Sequence, residues 1–93
     1  MTSERVRRQA RVSGRVQGVF FRDSTRSEAE LHGVAGWARN CSDGSVEVLL
    51  EGARDAVAAV IAFLREGPPR ASVDAVEVSD AGDPEGLGGF EIR

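Results

Sequence analysis

Apolar residues change their spacing repeatedly along this chain, and the order of those changes is the strongest constraint on its fold. Val6, Ala10 and Val12 share one face of an alternating run; Arg7, Gln9, Arg11 and Ser13 share the other, and Arg8 interrupts the apolar side. Residues 7–13 therefore read as a strand. Residues 22–32 suit a helix, with Asp23 in the first turn, His32 in the last and Gly33 as a left-handed stop. Its apolar stripe is thin: Phe21, Ala29 and Thr25. Residues 34–40 and 46–51 read as strands joined by Cys41-Ser42-Asp43-Gly44-Ser45, in which Asp-Gly is the strongest turn pair. Val46, Val48 and Leu50 fall on the buried face. Val57, Val60, Ile61 and Leu64 form one stripe at i, i+3, i+4 and i+7, which makes 54–65 the clearest helix. Asp55 sits in its first turn and Gly67-Pro68-Pro69 stops it. Residues 72–79 give another strand, where Ala75 beside Val76 suggests a bulge. A polar loop over 81–89 leads to a short last strand in which Phe90 and Ile92 alternate with Glu91 and Arg93.

The order β-α-β-β-α-β plus a short C-terminal strand predicts an α+β fold of the ferredoxin-like, split βαβ kind. Its sheet is mostly antiparallel and carries two helices on one face. A small open barrel is the other candidate, but amphipathic helices at these two places argue against it. A chain of 93 residues is expected to form a single domain over 1–93, with residues 1–5 a loose tail. At this size only about 60–65% of the unfolded surface is buried. Any site must therefore come from loops and element ends.

Composition removes several functions. No run of 18 apolar residues exists to cross a membrane, and the polar N-terminus has no signal-peptide core. A cytoplasmic location is expected. Cys41 and His32 are the lone cysteine and histidine, so neither a disulfide nor a metal framework is expected, and no cofactor. All 12 basic residues are arginine, which excludes lysine Schiff bases and the P-loop lysine. A net charge of −3 argues against nucleic-acid binding, and a monomer is the default.

The topology concentrates attention on one edge. The first and second strands are parallel with the third between them, so their exits lie roughly 9–10 Å apart on the same side. The segment Gly14-Arg15-Val16-Gln17-Gly18-Val19-Phe20-Phe21-Arg22 leaves the first exit, and Asn40 ends the second. Two glycines permit bends in which successive amides converge on an anion, and a helix N-terminus adds more. Arg22 in the first helical turn has the wrong sign for the helix dipole, at about 0.3–1 kcal/mol. Either an anion offsets that charge or Arg22 is a surface residue paired with Asp23. Asn40 is either turn chemistry or an amide able to fix a water. Neither GxxxxGK[ST] nor GxGxxG is present.

GRVQGVFFR at 14–22, GWARN at 36–40, the Asp43-Gly44 turn and the terminal FEIR resemble the acylphosphatase family, in order and spacing, over residues 7–93. The resemblance implies metal-independent hydrolysis of the carboxyl-phosphate bond of small acylphosphates. It implies that Arg22 binds phosphate with the main-chain amides of Arg15, Val16, Gln17, Gly18, Val19, Phe20 and Phe21, and that Asn40 holds the attacking water. Inorganic phosphate or sulfate is then an expected ligand. The carboxylate leaving group has a conjugate acid with pKa of about 4 and needs no general acid. Two other readings remain at this point. A phosphate-binding regulatory module would keep the pocket without turnover. An RNA-binding sheet shares the topology but lacks the aromatic motif and the basic balance. Cys41 reads as a spare thiol.

Overall fold

The computed structural model describes residues 4–93. Strands β1 (Arg5–Arg15), β2 (Ala35–Asn40), β3 (Val46–Ala53), β4 (Ser72–Asp80) and β5 (Phe90–Ile92) form one sheet in the order β4-β1-β3-β2-β5. Helices α1 (Phe21–Leu31) and α2 (Arg54–Glu66) complete the ferredoxin-like α+β fold. All pairings are antiparallel except β2 with β5. β1 and β2 are thus parallel, separated by β3, and end on the same side.

The core lies between the sheet and the helices. Val12, Val46, Val48 and Leu50 from the strands meet Phe21, Ala29, Val57, Val60 and Leu64 from the helices, all at 2% exposure or less. Each large member contributes about 1.5–3 kcal/mol through burial. α1 buries only Phe21, Thr25 and Ala29, at every fourth position. The Thr25 hydroxyl donates back to the Phe21 carbonyl at 2.8 Å, which lets a polar side chain sit in the core. In α2, Ile61 is only half-buried.

Four expectations need correction. The first three residues of the expected loose tail lie outside the described residues. Glu4 and Arg5 are held: Arg54 donates its amide to the Glu4 carbonyl and its guanidinium to the Glu4 carboxylate, both at 2.8 Å, and Arg5 pairs with Ala53. β1 also continues two residues past Ser13. The bulge lies one residue before its expected place, at Asp74, because the register shifts between Ser13 and Gly14. Gly14 is a strand residue there, and a Cβ on it would stand 2.3 Å from the Ser72 carbonyl oxygen.

The fourth correction concerns β3. Alternation predicts Glu47, Leu49 and Glu51 on an open face, yet they are 6%, 3% and 0% exposed. Arginine side chains and the 81–89 loop cover that face. Glu47 accepts from Gln9 at 2.6 Å and pairs with Arg39 and Arg11. Glu51 accepts main-chain bonds from Glu85, Gly86 and Leu87 at 2.8, 2.7 and 2.9 Å. Arg39 and Arg93 stack on Trp37, 5.3 and 5.0 Å from its ring.

Candidate active site

Residues 16–20 cross from the end of β1 to the start of α1 at the edge where β2 also ends. Val16 and Val19 are buried and pin this crossing to the core. Gly18 and Phe20 between and after them have left-handed backbones, with φ of 75° and 62°. Glycine takes that conformation freely; phenylalanine does so at about 1–2 kcal/mol. Phe20 then caps α1 with no side-chain hydrogen bond. Among the described residues, the amides of residues 16–20 have no main-chain acceptor.

A cavity of about 420 Å³ opens here. The crossing contributes Val16, Gly18 and Phe20; the first turn of α1 contributes Phe21, Arg22 and Asp23; β2 contributes Asn40 and β5 contributes Ile92. Arg22 and Asn40 therefore share one cavity although they stand 18 positions apart in the chain. Arg22 does not pair with Asp23. That carboxylate faces Arg26 at 3.5 Å, while Arg22 donates to the main-chain oxygen of Arg93 at 3.0 Å. The residue is half-buried, and its guanidinium is aimed toward the end of β5.

The side chains of three residues whose main-chain amides are expected in the site face elsewhere. Arg15 is exposed in β1 and pairs with Ser72, because the strand runs past Gly14. Val19 faces the core. Gln17 turns its side chain the other way, donating to the carbonyls of Cys41 and Ser45 at 2.8 and 2.9 Å. That amide ties the crossing to the turn that follows Asn40. The turn is itself fixed: Asp43 accepts from the Ser45 amide at 3.0 Å and its hydroxyl at 2.6 Å. These two bonds, first the hydroxyl and then the amide, hold the Asp43 carboxyl below its ordinary value despite partial desolvation, with help from Arg11. Gly36 brings β2 close to β3, since a Cβ on it would meet the Leu49 carbonyl oxygen at 1.8 Å.

The Gln17 side chain and Ile92 join the site without having been expected there. Gln17 carried no signal of its own, because which carbonyls its amide meets depends on where β1 stops. Ile92 carried none, because a three-residue strand gives no hint of its partner. No group of three or more metal-ligating side chains occurs among the described residues. No helix there is long and apolar enough to cross a membrane.

Fold and cavity define a class: a small α+β protein with one arginine, one carboxamide and an uncapped helix start gathered where its parallel strands end. Comparison with known proteins makes this specific. The Acylphosphatase family model matches residues 8–92. An acylphosphatase of Rubrobacter xylanophilus is 55% identical over 82 residues, 88% of this chain and 74% of that one. One from Anaeromyxobacter dehalogenans is 53% identical over 92 residues, 98% of each chain. The crystal structure of acylphosphatase from Bacillus subtilis superposes with a TM-score of 0.91 at 35% identity, covering 95% of this chain and 98% of that one. The chain belongs to the acylphosphatase family and is a hydrolase of that kind.

Proposed function

We propose that this chain hydrolyses small acylphosphates without a metal ion, with Arg22 and the amides of the crossing holding the phosphoryl group and Asn40 holding water. The observation that carries the reading is that Arg22 and Asn40 line the same cavity, beside amides that no main-chain carbonyl among the described residues engages. The phosphate meets the guanidinium nitrogens other than the Nη1 that donates to the Arg93 main-chain oxygen. An anion there also interacts favourably with the start of α1, which no side chain caps.

The reaction needs little else. Water forms a bond to phosphorus while the bond between phosphorus and the carboxyl oxygen breaks. The electron pair leaves with the carboxylate, which needs no proton at neutral pH because its conjugate acid has a pKa of about 4. The proton of the water passes to a phosphate oxygen, so one acylphosphate dianion and one water give a carboxylate and dihydrogen phosphate. Asp23, the one carboxylate side chain on the cavity wall, is turned to Arg26 and serves no step. Catalysis rests on position and charge, as phosphoryl transfer generally does.

The chain acts as a cytoplasmic monomer on a small-molecule substrate, binds inorganic phosphate or sulfate in the same place, and engages neither nucleic acid nor membrane. Its acidic balance supports the last point. Phosphate release from benzoyl phosphate, with and without EDTA, tests the function. Arg22→Ala should remove turnover and phosphate competition together; Asn40→Ala should remove turnover and spare competition. Turnover that EDTA abolishes, or near-normal kcat in Asn40→Ala, defeats the mechanism. Phosphate binding with no turnover would make the chain a binding module.

A further inference from the structure

Phe20 departs from ordinary chain behaviour twice. Its backbone is left-handed, with φ 62° and ψ 28°, a region that bulky side chains avoid. The residue is 69% exposed, whereas its neighbours Val19 and Phe21 are both at 2%. The fold requires neither feature, because glycine or asparagine takes this backbone more readily. Phe20 lines the cavity that holds Arg22 and Asn40, and half-buried Ile92 lines it too. Strain held at such a place points to a use.

Resting on the acylphosphatase reading, we propose that Phe20 and Ile92 form the subsite for the acyl group and favour aromatic or bulky apolar acyl chains over acetyl. The phosphoryl group is common to all acylphosphates and is held by the guanidinium and the amides. Only the group on the carboxyl carbon differs between substrates, and it must lie beside the phosphate within the same mouth. At about 420 Å³ the cavity is in the range that encloses a whole small molecule. Of the apolar residues on it, Phe20 comes from the crossing and Ile92 from β5, so an acyl chain can lie between them. A flat ring laid on Phe20 gains both apolar burial and an aromatic contact.

The test measures kcat/KM for benzoyl phosphate and acetyl phosphate and reads their ratio, so that damage to the phosphate cradle cancels. Phe20→Asn, which keeps a left-handed backbone, should lower the benzoyl-to-acetyl ratio about tenfold. Ile92→Ala should lower it about threefold from the other side of the cavity. Phe20→Tyr should retain it. An unchanged ratio in Phe20→Asn, with both substrates still hydrolysed, overturns the subsite and leaves the acylphosphatase reading standing. A wild-type chain that hydrolyses neither substrate overturns that reading and the subsite with it.

Discussion

Glu51→Gln is the substitution whose effect can be worked most fully from the structure. The carboxylate is fully buried at the far side of the sheet and accepts three main-chain bonds from residues 85–87. Arg7 Nε, buried without a hydrogen-bond partner, lies 3.7 Å away. Together they fasten the 81–89 loop, which delivers β5 and hence Ile92 and the Arg93 oxygen to the cavity. Glutamine matches the volume, and its oxygen keeps the bonds from Gly86 and Leu87. Its NH2 then faces the Glu85 amide and Arg7, donor against donor. One charge-assisted bond contributes about 1.5–3 kcal/mol, and a stranded buried donor costs about 1–3 kcal/mol. The expected loss is about 3 kcal/mol, or roughly 12–24 °C in Tm for a domain of this size. Urea unfolding should show a lower midpoint at unchanged m-value, and amides 85–87 should exchange faster. A loss below about 1 kcal/mol, with unchanged exchange there, would refute the anchoring role. The pH dependence has a definite sign. Burial pushes the Glu51 carboxyl up, but the three amides and Arg7 outweigh it and hold it below its ordinary 4.5. Its stabilisation is complete above pH of about 5 and fades as pH falls from 4.5 through the lower folded value. Glu51→Gln should lose that part of the acid slope.

Gly36→Ala should cost about 3 kcal/mol or more, because β2 and β3 must part to relieve a 1.8 Å contact; a thermal melt reports it. Gln17→Ala removes two bonds to the turn after Asn40, so it should cost about 1–2 kcal/mol and lower kcat more than it weakens phosphate competition. Equal loss of both would place Gln17 in the cradle instead. Asp23→Asn should leave kcat within about twofold and its pH profile flat near neutrality; a large fall would make that carboxylate the missing base.

The helices and the hairpin were legible because each carries its own period and its own stop. Val57, Val60 and Leu64 make a stripe whose depth needs no tertiary knowledge, and Gly67-Pro68-Pro69 ends it within a residue. The motif residues were legible as a pattern, but their division of labour was not. In GRVQGVFFR, Gly14 serves the approach of β4, Val19 the core and Gln17 the neighbouring turn, while Gly18, Phe20 and Arg22 face the cavity. Those roles depend on where β1 stops, two residues later than alternation suggests. Glu47 and Glu51 read as solvent-facing because alternation records only which side of a strand a residue takes. What covers that side, here arginines 7, 11 and 39 and a loop 34 residues further on, is a tertiary fact.

The same hydrogen bonds explain how so small a chain supports a precise site. Both groups on which the proposed chemistry depends sit at element ends, where backbones fray and few core contacts reach. Each is held from elsewhere. Asn40 is flanked by a turn closed by Asp43 and bound by Gln17 from the crossing. Arg22 is drawn toward β5, whose position follows from the loop that Glu51 grips. The two tethers start from different elements, so loosening one should leave the other group in place. Gln17→Ala and Glu51→Gln should therefore affect turnover independently, adding within about 0.5 kcal/mol in ΔΔG‡ when combined. A strong interaction between them in a double-mutant cycle would mean that the cradle, rather than each tether, is the unit that positions the site.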